Sequence, residues 1–168
     1  MQDLTYAYPV DREEMYRLVC KQLDSLTADE ELVIPNLANA AALLTAAMEH
    51  INWVGFYLMR ADELVLGPYQ GKPACIRIPV GKGVCGTAVK EDAVQCVPDV
   101  EQFPGHIACD SSSRSEIVVP IHFDGLVVGV LDIDSPRKKN FDRTDIEGLT
   151  AFVSVLEKNC DWREFKIM

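Results

Sequence analysis

Positive charge is scarce in this chain. Sixteen Lys and Arg stand against 26 Asp and Glu, for a formal net charge of −10, and the basic residues form no extended cluster. A surface of that sign repels polyanions, which argues against nucleic acid and anionic membranes as partners. Long apolar runs are also missing, none approaching the roughly 20 residues a bilayer-spanning helix needs. No signal-peptide pattern opens the chain, so a cytoplasmic location is expected. There is no Cys-x-x-Cys pair, and the three histidines lack zinc-like spacing. His106-x-x-Cys109 offers half a metal site and the spacing supplies no other half, so no metal is expected. Neither a repeat nor a linker divides the 168 residues, which are read as a single domain, 1–168, able to bury a sizeable core.

Cysteine is well represented. Six is an even number, but disulfide scaffolds belong to small secreted chains, and this one is neither small nor visibly secreted. Cys109 is the most informative of the six. It lies in the polar run Gly105-His106-Ile107-Ala108-Cys109-Asp110-Ser111-Ser112-Ser113, where a thiol is expected to be reachable, inside an irregular connection from Glu101 to Ser115. Loops of that length in a compact domain are usually functional or disordered.

Periodicity gives the framework. Asp11 reads as an N-cap, followed by a helical stripe of Tyr16, Val19, Cys20 and Leu23. A second helix is expected after Pro35, with Leu37, Ala40, Ala41, Leu44, Met48 and Ile51 on one face. Short β-like runs follow at 53–59, 63–69 and 75–79. The turn Gly81-Lys82-Gly83-Val84-Cys85-Gly86-Thr87 opens a short helix, with a further strand near 94–97. It lacks the Walker pattern, and its Gly-x-Gly opens no dinucleotide-binding unit. Strands at 116–122 and 126–133 flank the hairpin signal Asp124-Gly125. Asp142 caps a last helix with the stripe Ile146, Leu149, Val153 and Leu156. This order predicts an α+β domain with helices packed against an antiparallel sheet.

Three carboxylates gather at the hairpin. Asp132 and Asp134 alternate with Leu131 and Ile133 and so share one face of a strand. A two-residue turn at Asp124-Gly125 would set Glu116 opposite Ile133, on the other face. A three-residue loop would set it opposite Asp132 and bring all three acids together; that register is the one expected. Buried carboxylates need cations or donors, and a ligand's ammonium group would serve. Trp53 and Tyr57, on the same face of one strand, either pack in the core or form an aromatic wall.

The segments Gly71-Lys72-Pro73-Ala74-Cys75-Ile76-Arg77-Ile78, Gly81 to Thr87, Gly105 to Asp110, Ser115-Glu116-Ile117-Val118-Val119-Pro120 and Gly129-Val130-Leu131-Asp132-Ile133-Asp134-Ser135 resemble the free methionine-(R)-sulfoxide reductases, single-domain enzymes of the GAF fold. The likeness covers nearly the whole chain. It implies an antiparallel sheet with helices packed on one face and a ligand pocket on the other. It implies that Cys109 is the nucleophile, that Cys75 is the leading candidate to resolve it, and that Cys85 is a further redox partner. It places Glu116, Asp132 and Asp134 in the substrate pocket, with Trp53 and Tyr57 on its wall. Cys20, Cys96 and Cys160 match no part of the pattern.

The implied reaction reduces free L-methionine (R)-S-oxide to L-methionine without a cofactor. External thioredoxin is the reductant, and a homodimer is a possible assembly. Departure of the sulfoxide oxygen needs an acid, since water's pKa is about 15.7, and crowded carboxyl groups supply one. A second thiol then captures the sulfenic acid on Cys109 as a disulfide. The rival readings are a GAF-type ligand-binding module, which an acidic pocket fits poorly if the ligand is a phosphate, and a thiol redox sensor.

Overall fold

A computed structural model describes residues 7–107 and 110–165. The Asp11 carboxylate accepts the Glu14 N–H at 2.9 Å and starts α1 (Arg12–Thr27). Helix α2 (Val33–Ala47) begins two residues before Pro35, which occupies the third helical position, where a missing N–H breaks no intrahelical bond. It ends at Ala47, so Met48 and Ile51 follow the helix yet still pack on its core. Strands β1 (Trp53–Arg60), β2 (Glu63–Gln70) and β3 (Arg77–Pro79) come next, then α3 (Gly83–Glu91), β4 (Gln95–Val97), β5 (Ser115–Phe123), β6 (Leu126–Ser135) and α4 (Arg143–Asn159).

Helix α4 opens with a capping box, the Asp142 carboxylate accepting from Thr144 N–H at 2.9 Å and the Asp145 carboxylate from Asp142 N–H at 2.8 Å. Asp145 also accepts the Tyr16 hydroxyl at 2.9 Å and Arg12 at 2.7 Å, which ties α1 to α4. The Tyr16 ring lies where a side chain at Gly148 would stand, within 2.2 Å of an added Cβ.

The six strands form one antiparallel sheet in the order β3-β2-β1-β6-β5-β4. Alternation divides its two faces. Val54, Phe56, Leu58, Ile117, Val119, Ile121, Leu131 and Ile133 meet α1, α2 and α4 in the larger core. Tyr57, Met59, Val118 and Val130 point the other way, where Val84, Cys85 and Ala88 of α3 pack on them. The expected α+β architecture is therefore present, with three helices on one face and α3 with two connecting segments on the other. No helix among the described residues is long and apolar enough to cross a membrane.

The β5–β6 hairpin departs from expectation. Its turn has two residues, with Phe123 opposite Leu126 and positive φ at Asp124 (50°) and Gly125 (74°), as a type I′ turn requires. That turn alone would place Glu116 opposite Ile133. However, His122 pairs with Val127 and Ile121 with Gly129, so β6 carries one extra residue. This bulge shifts the register by one, and Glu116 ends opposite Asp134 while Val118 faces Asp132. The expected three-residue loop with Glu116 opposite Asp132 is corrected. The shared face it was invoked to explain comes from the bulge instead.

Candidate active site

The pocket is built on the face away from the three-helix layer. Trp53, Tyr57, Cys85, Glu116, Asp132 and Asp134 all line it, joined by His106, Ile107, Asp110 and Ser113 from the long connection. Cys75 stands behind the wall: its carbonyl accepts the Tyr57 hydroxyl at 3.0 Å, and its side chain is half-buried beside the same apolar cluster. Cys109 lies outside the described residues. Cys20, Cys96 and Cys160 pack with the opposite, helix-side core.

The aromatic wall is a stack of three rings. Trp53 lies 5.3 Å from Tyr69 at 15° and 6.0 Å from Tyr57 at 25° between ring planes. Gly55 makes this possible, because a Cβ there would stand 2.3 Å from the Tyr69 Cβ and 2.6 Å from the Trp53 ring. The Trp53 indole N–H donates to the Lys72 carbonyl at 3.1 Å. Together with the Tyr57–Cys75 bond it fastens the 71–76 segment over the pocket.

Opposite stands the first turn of α3. Gly86 lets the helix press onto the preceding turn, where an added Cβ would come within 2.4 Å of the Pro79 carbonyl oxygen. No side chain caps the helix at Lys82, and Gly83, Val84 and Cys85 border the pocket. First-turn N–H groups have no intrahelical acceptor and carry the positive end of the helix dipole.

The acids form the floor. Glu116, Asp132 and Asp134 are 6%, 7% and 9% exposed, so water screens none of them well. Burial pushes Glu116 well above the usual carboxylate range, and repulsion from Asp134 adds to it, while a hydrogen bond with Asp132 opposes the rise. Burial likewise raises Asp132, with Glu116 second, and Asp134, with Asp132 second. The buried Cys85 thiol is raised first by desolvation and then by the charges of Asp132 and Glu116. His106 Nε2 is 3.4 Å from a Glu116 oxygen, and burial lowers the imidazole's pKa.

Asp110 behaves differently. It accepts the Ser112 N–H at 2.9 Å and the Ser112 hydroxyl at 2.8 Å, which hold it below the usual carboxylate range. Lys72 at 3.3 Å and the Asn52 amide at 3.2 Å add to the hold. The site thus combines an ionised carboxylate at its rim with a floor of carboxyl groups that resist losing their protons.

Sequence reasoning assigned no role to Lys72, Asn52 or Ser113, and saw His106 only as half a metal site. Lys72 and Asp110 are 38 residues apart in the chain, and no local pattern announces their pairing.

A curled antiparallel sheet with a ligand pocket walled by one short helix and two long connections defines a class of small-molecule-binding α+β domains. The family model for the GAF domain matches residues 11–159. The chain is 55% identical over 150 residues to "Protein YtsP" of Bacillus subtilis, covering 88% of this chain and 92% of that protein. It is 47% identical over 159 residues to the free methionine-R-sulfoxide reductase of Escherichia coli, covering 93% and 96%. The crystal structure of the free methionine-R-sulfoxide reductase of Neisseria meningitidis in complex with its substrate superposes with a TM-score of 0.90 at 48% identity, over 95% of each chain. The chain belongs to the GAF-domain family, among its free methionine-R-sulfoxide reductases.

Proposed function

We propose that the chain reduces free methionine (R)-sulfoxide to methionine, with Cys109 as nucleophile. One observation carries the reading: three buried acids from two strands share a pocket with an aromatic stack, and Ile107 and Asp110 line that pocket on either side of residues 108–109. In this scheme the substrate's ammonium lies against the acid floor. Its carboxylate meets the uncapped first turn of α3, and its methyl-sulfinyl end meets Trp53 and Tyr57. Free methionine sulfoxide offers both charges, whereas an oxidised residue within a polypeptide offers neither.

The Cys109 thiolate attacks the sulfoxide sulfur, and the oxygen leaves with a proton from the floor. Glu116 and Asp132, both kept protonated more readily than ordinary carboxyls, are the donors the site supplies. General-acid help of this kind is worth about 10²–10⁴-fold. The hydroxide so formed attacks the Cys109 sulfur, and the S–S bond to the substrate breaks with its electron pair going to methionine. Methionine departs, and Cys109 is left as a sulfenic acid. Cys75, tied to the pocket wall through Tyr57, condenses with it to a disulfide and releases water; Cys85 is the further redox partner. A dithiol of the thioredoxin type restores both thiols by exchange. No cofactor enters these steps.

The test is NADPH consumption in a thioredoxin-coupled assay with separated epimers of free methionine sulfoxide. Turnover of the R epimer, lost in Cys109→Ser, is expected. Silence with both epimers would refute the reading and favour a thiol sensor.

A further inference from the structure

The floor of the pocket also has the composition of a metal site. The Cys85 sulfur and one carboxylate oxygen each of Glu116 and Asp132 lie within 4.8 Å of one another, and all three residues are buried. A tetrahedral ion with sulfur at about 2.3 Å and oxygen at about 2.0–2.2 Å holds its ligand atoms about 3.3–3.6 Å apart, so closure needs side-chain shifts of roughly 1 Å. A second observation points to a missing partner. Asp132 Oδ1 is buried and has no hydrogen-bond partner among the described residues, although Asp132 is only 7% exposed. Buried carboxylate oxygens are rarely left so.

We propose that this floor binds Zn²⁺ through Cys85, Glu116 and Asp132, and that the ion excludes the substrate. One thiolate with two carboxylates suits a borderline ion such as zinc better than the harder Mg²⁺ or Ca²⁺, which prefer all-oxygen shells. Binding is a ligand exchange: zinc displaces the Cys85 thiol proton and any proton held on the two carboxyls, these pass to water, and no electron moves. A fourth position stays open on the side of His106, whose Nε2 is 3.4 Å from Glu116. The unpaired Asp132 oxygen gains its partner. Exclusion of substrate rests on the reductase reading; metal binding does not.

The experiment uses the whole chain, reduced with a non-chelating phosphine and freed of metal, titrated with Co²⁺ and then Zn²⁺. A near-ultraviolet sulfur-to-cobalt charge-transfer band is expected at one equivalent and should be bleached by zinc. Cys85→Ser should lose the band and Cys96→Ser should keep it. Asp132→Asn, close to isosteric, should weaken zinc by at least about tenfold, the lower end of what losing even an outer-shell partner costs. Absence of the band in the native chain, its survival in Cys85→Ser, or undiminished zinc affinity in Asp132→Asn would each overturn the site. In the coupled assay zinc should raise KM for methionine sulfoxide and leave kcat unchanged; a fall in kcat alone would overturn the exclusion. Cobalt binding without any sulfoxide turnover would retire the reductase reading and leave the metal site standing.

Discussion

Glu116 sits directly opposite Asp134 across the β5–β6 ladder, two buried acids face to face on adjacent strands. Like charges in that position are destabilising, so the fold tolerates the pair at a cost that a cationic ligand would relieve. Replacing Asp134 by Asn should therefore raise the Tm of the free protein while lowering kcat/KM for methionine sulfoxide by tenfold or more, as an order of magnitude for a lost charged contact. Thermal melts and steady-state kinetics on the same preparation check both signs. Native kinetics in both Asp134→Asn and Glu116→Gln would remove the acids from the site.

The resolving step separates the cysteines. Cys109→Ser should show no sulfoxide reduction at all. Cys75→Ser should release about one equivalent of methionine per chain and then stall with thioredoxin, because the sulfenic acid has lost its partner. Quenched single-turnover measurements read this, and sustained thioredoxin-dependent turnover in Cys75→Ser would shift the role to Cys85.

With Cys109 as the proposed nucleophile, the acid floor would work against it. Negative charge nearby disfavours a thiolate, and Asp110, the next residue after Cys109, is held ionised by Ser112 and Lys72. Bound methionine, an unreactive product, brings an ammonium group to the acids and should lower the Cys109 pKa. Alkylation rate against pH, with and without methionine, measures it. Superimposable profiles would show that the substrate does not activate its own attacker.

Gly55 should tolerate no side chain. A Cβ would meet the Trp53 and Tyr69 rings of the stack, so Gly55→Ala is expected to cost about 1–3 kcal/mol through overpacking and to raise KM through a displaced Trp53. Denaturant melts and Trp fluorescence report the two effects separately.

Far from the pocket, His122 lies between Asp92 at 2.6 Å and Glu157 at 3.2 Å. Partial burial lowers its pKa, and the two carboxylates outweigh burial and raise it overall. A raised folded-state pKa means the stabilisation is complete below the unfolded value, near 6.5, and is lost as pH rises through the folded one. The side chain is 40% exposed, so solvent screening limits the effect to below about 1 kcal/mol. The Tm advantage of the native chain over His122→Gln should shrink between about pH 6 and pH 8; an advantage that grows with pH would reverse the assignment.

Much of this molecule is written locally. Asp11 and Asp142 announce their helices because an N-cap is a contact between residues two or three apart. The alternation of Asp132 and Asp134 with Leu131 and Ile133 assigns the acids to one face of a strand, because pleating has period two. The motifs around Cys75, Cys85 and Asp132 point to the family. The extra residue at Val128 was not legible: a bulge in an apolar run leaves no turn signal, and only pairing across strands reveals it.

What the sequence determined by itself is the inventory: helices, strands, the acidic balance and a set of thiols and carboxyls suited to one chemistry. Tertiary structure decided their relations. It turned Glu116 onto the face of Asp134 through a single-residue bulge, and it carried Cys85 to Asp132 and Lys72 to Asp110. The physical reason is range. Capping, pleat and turn act over a few residues and can be read along the chain, whereas the burial that raises these acids' pKa values is set by surfaces that meet only when the sheet closes under α3.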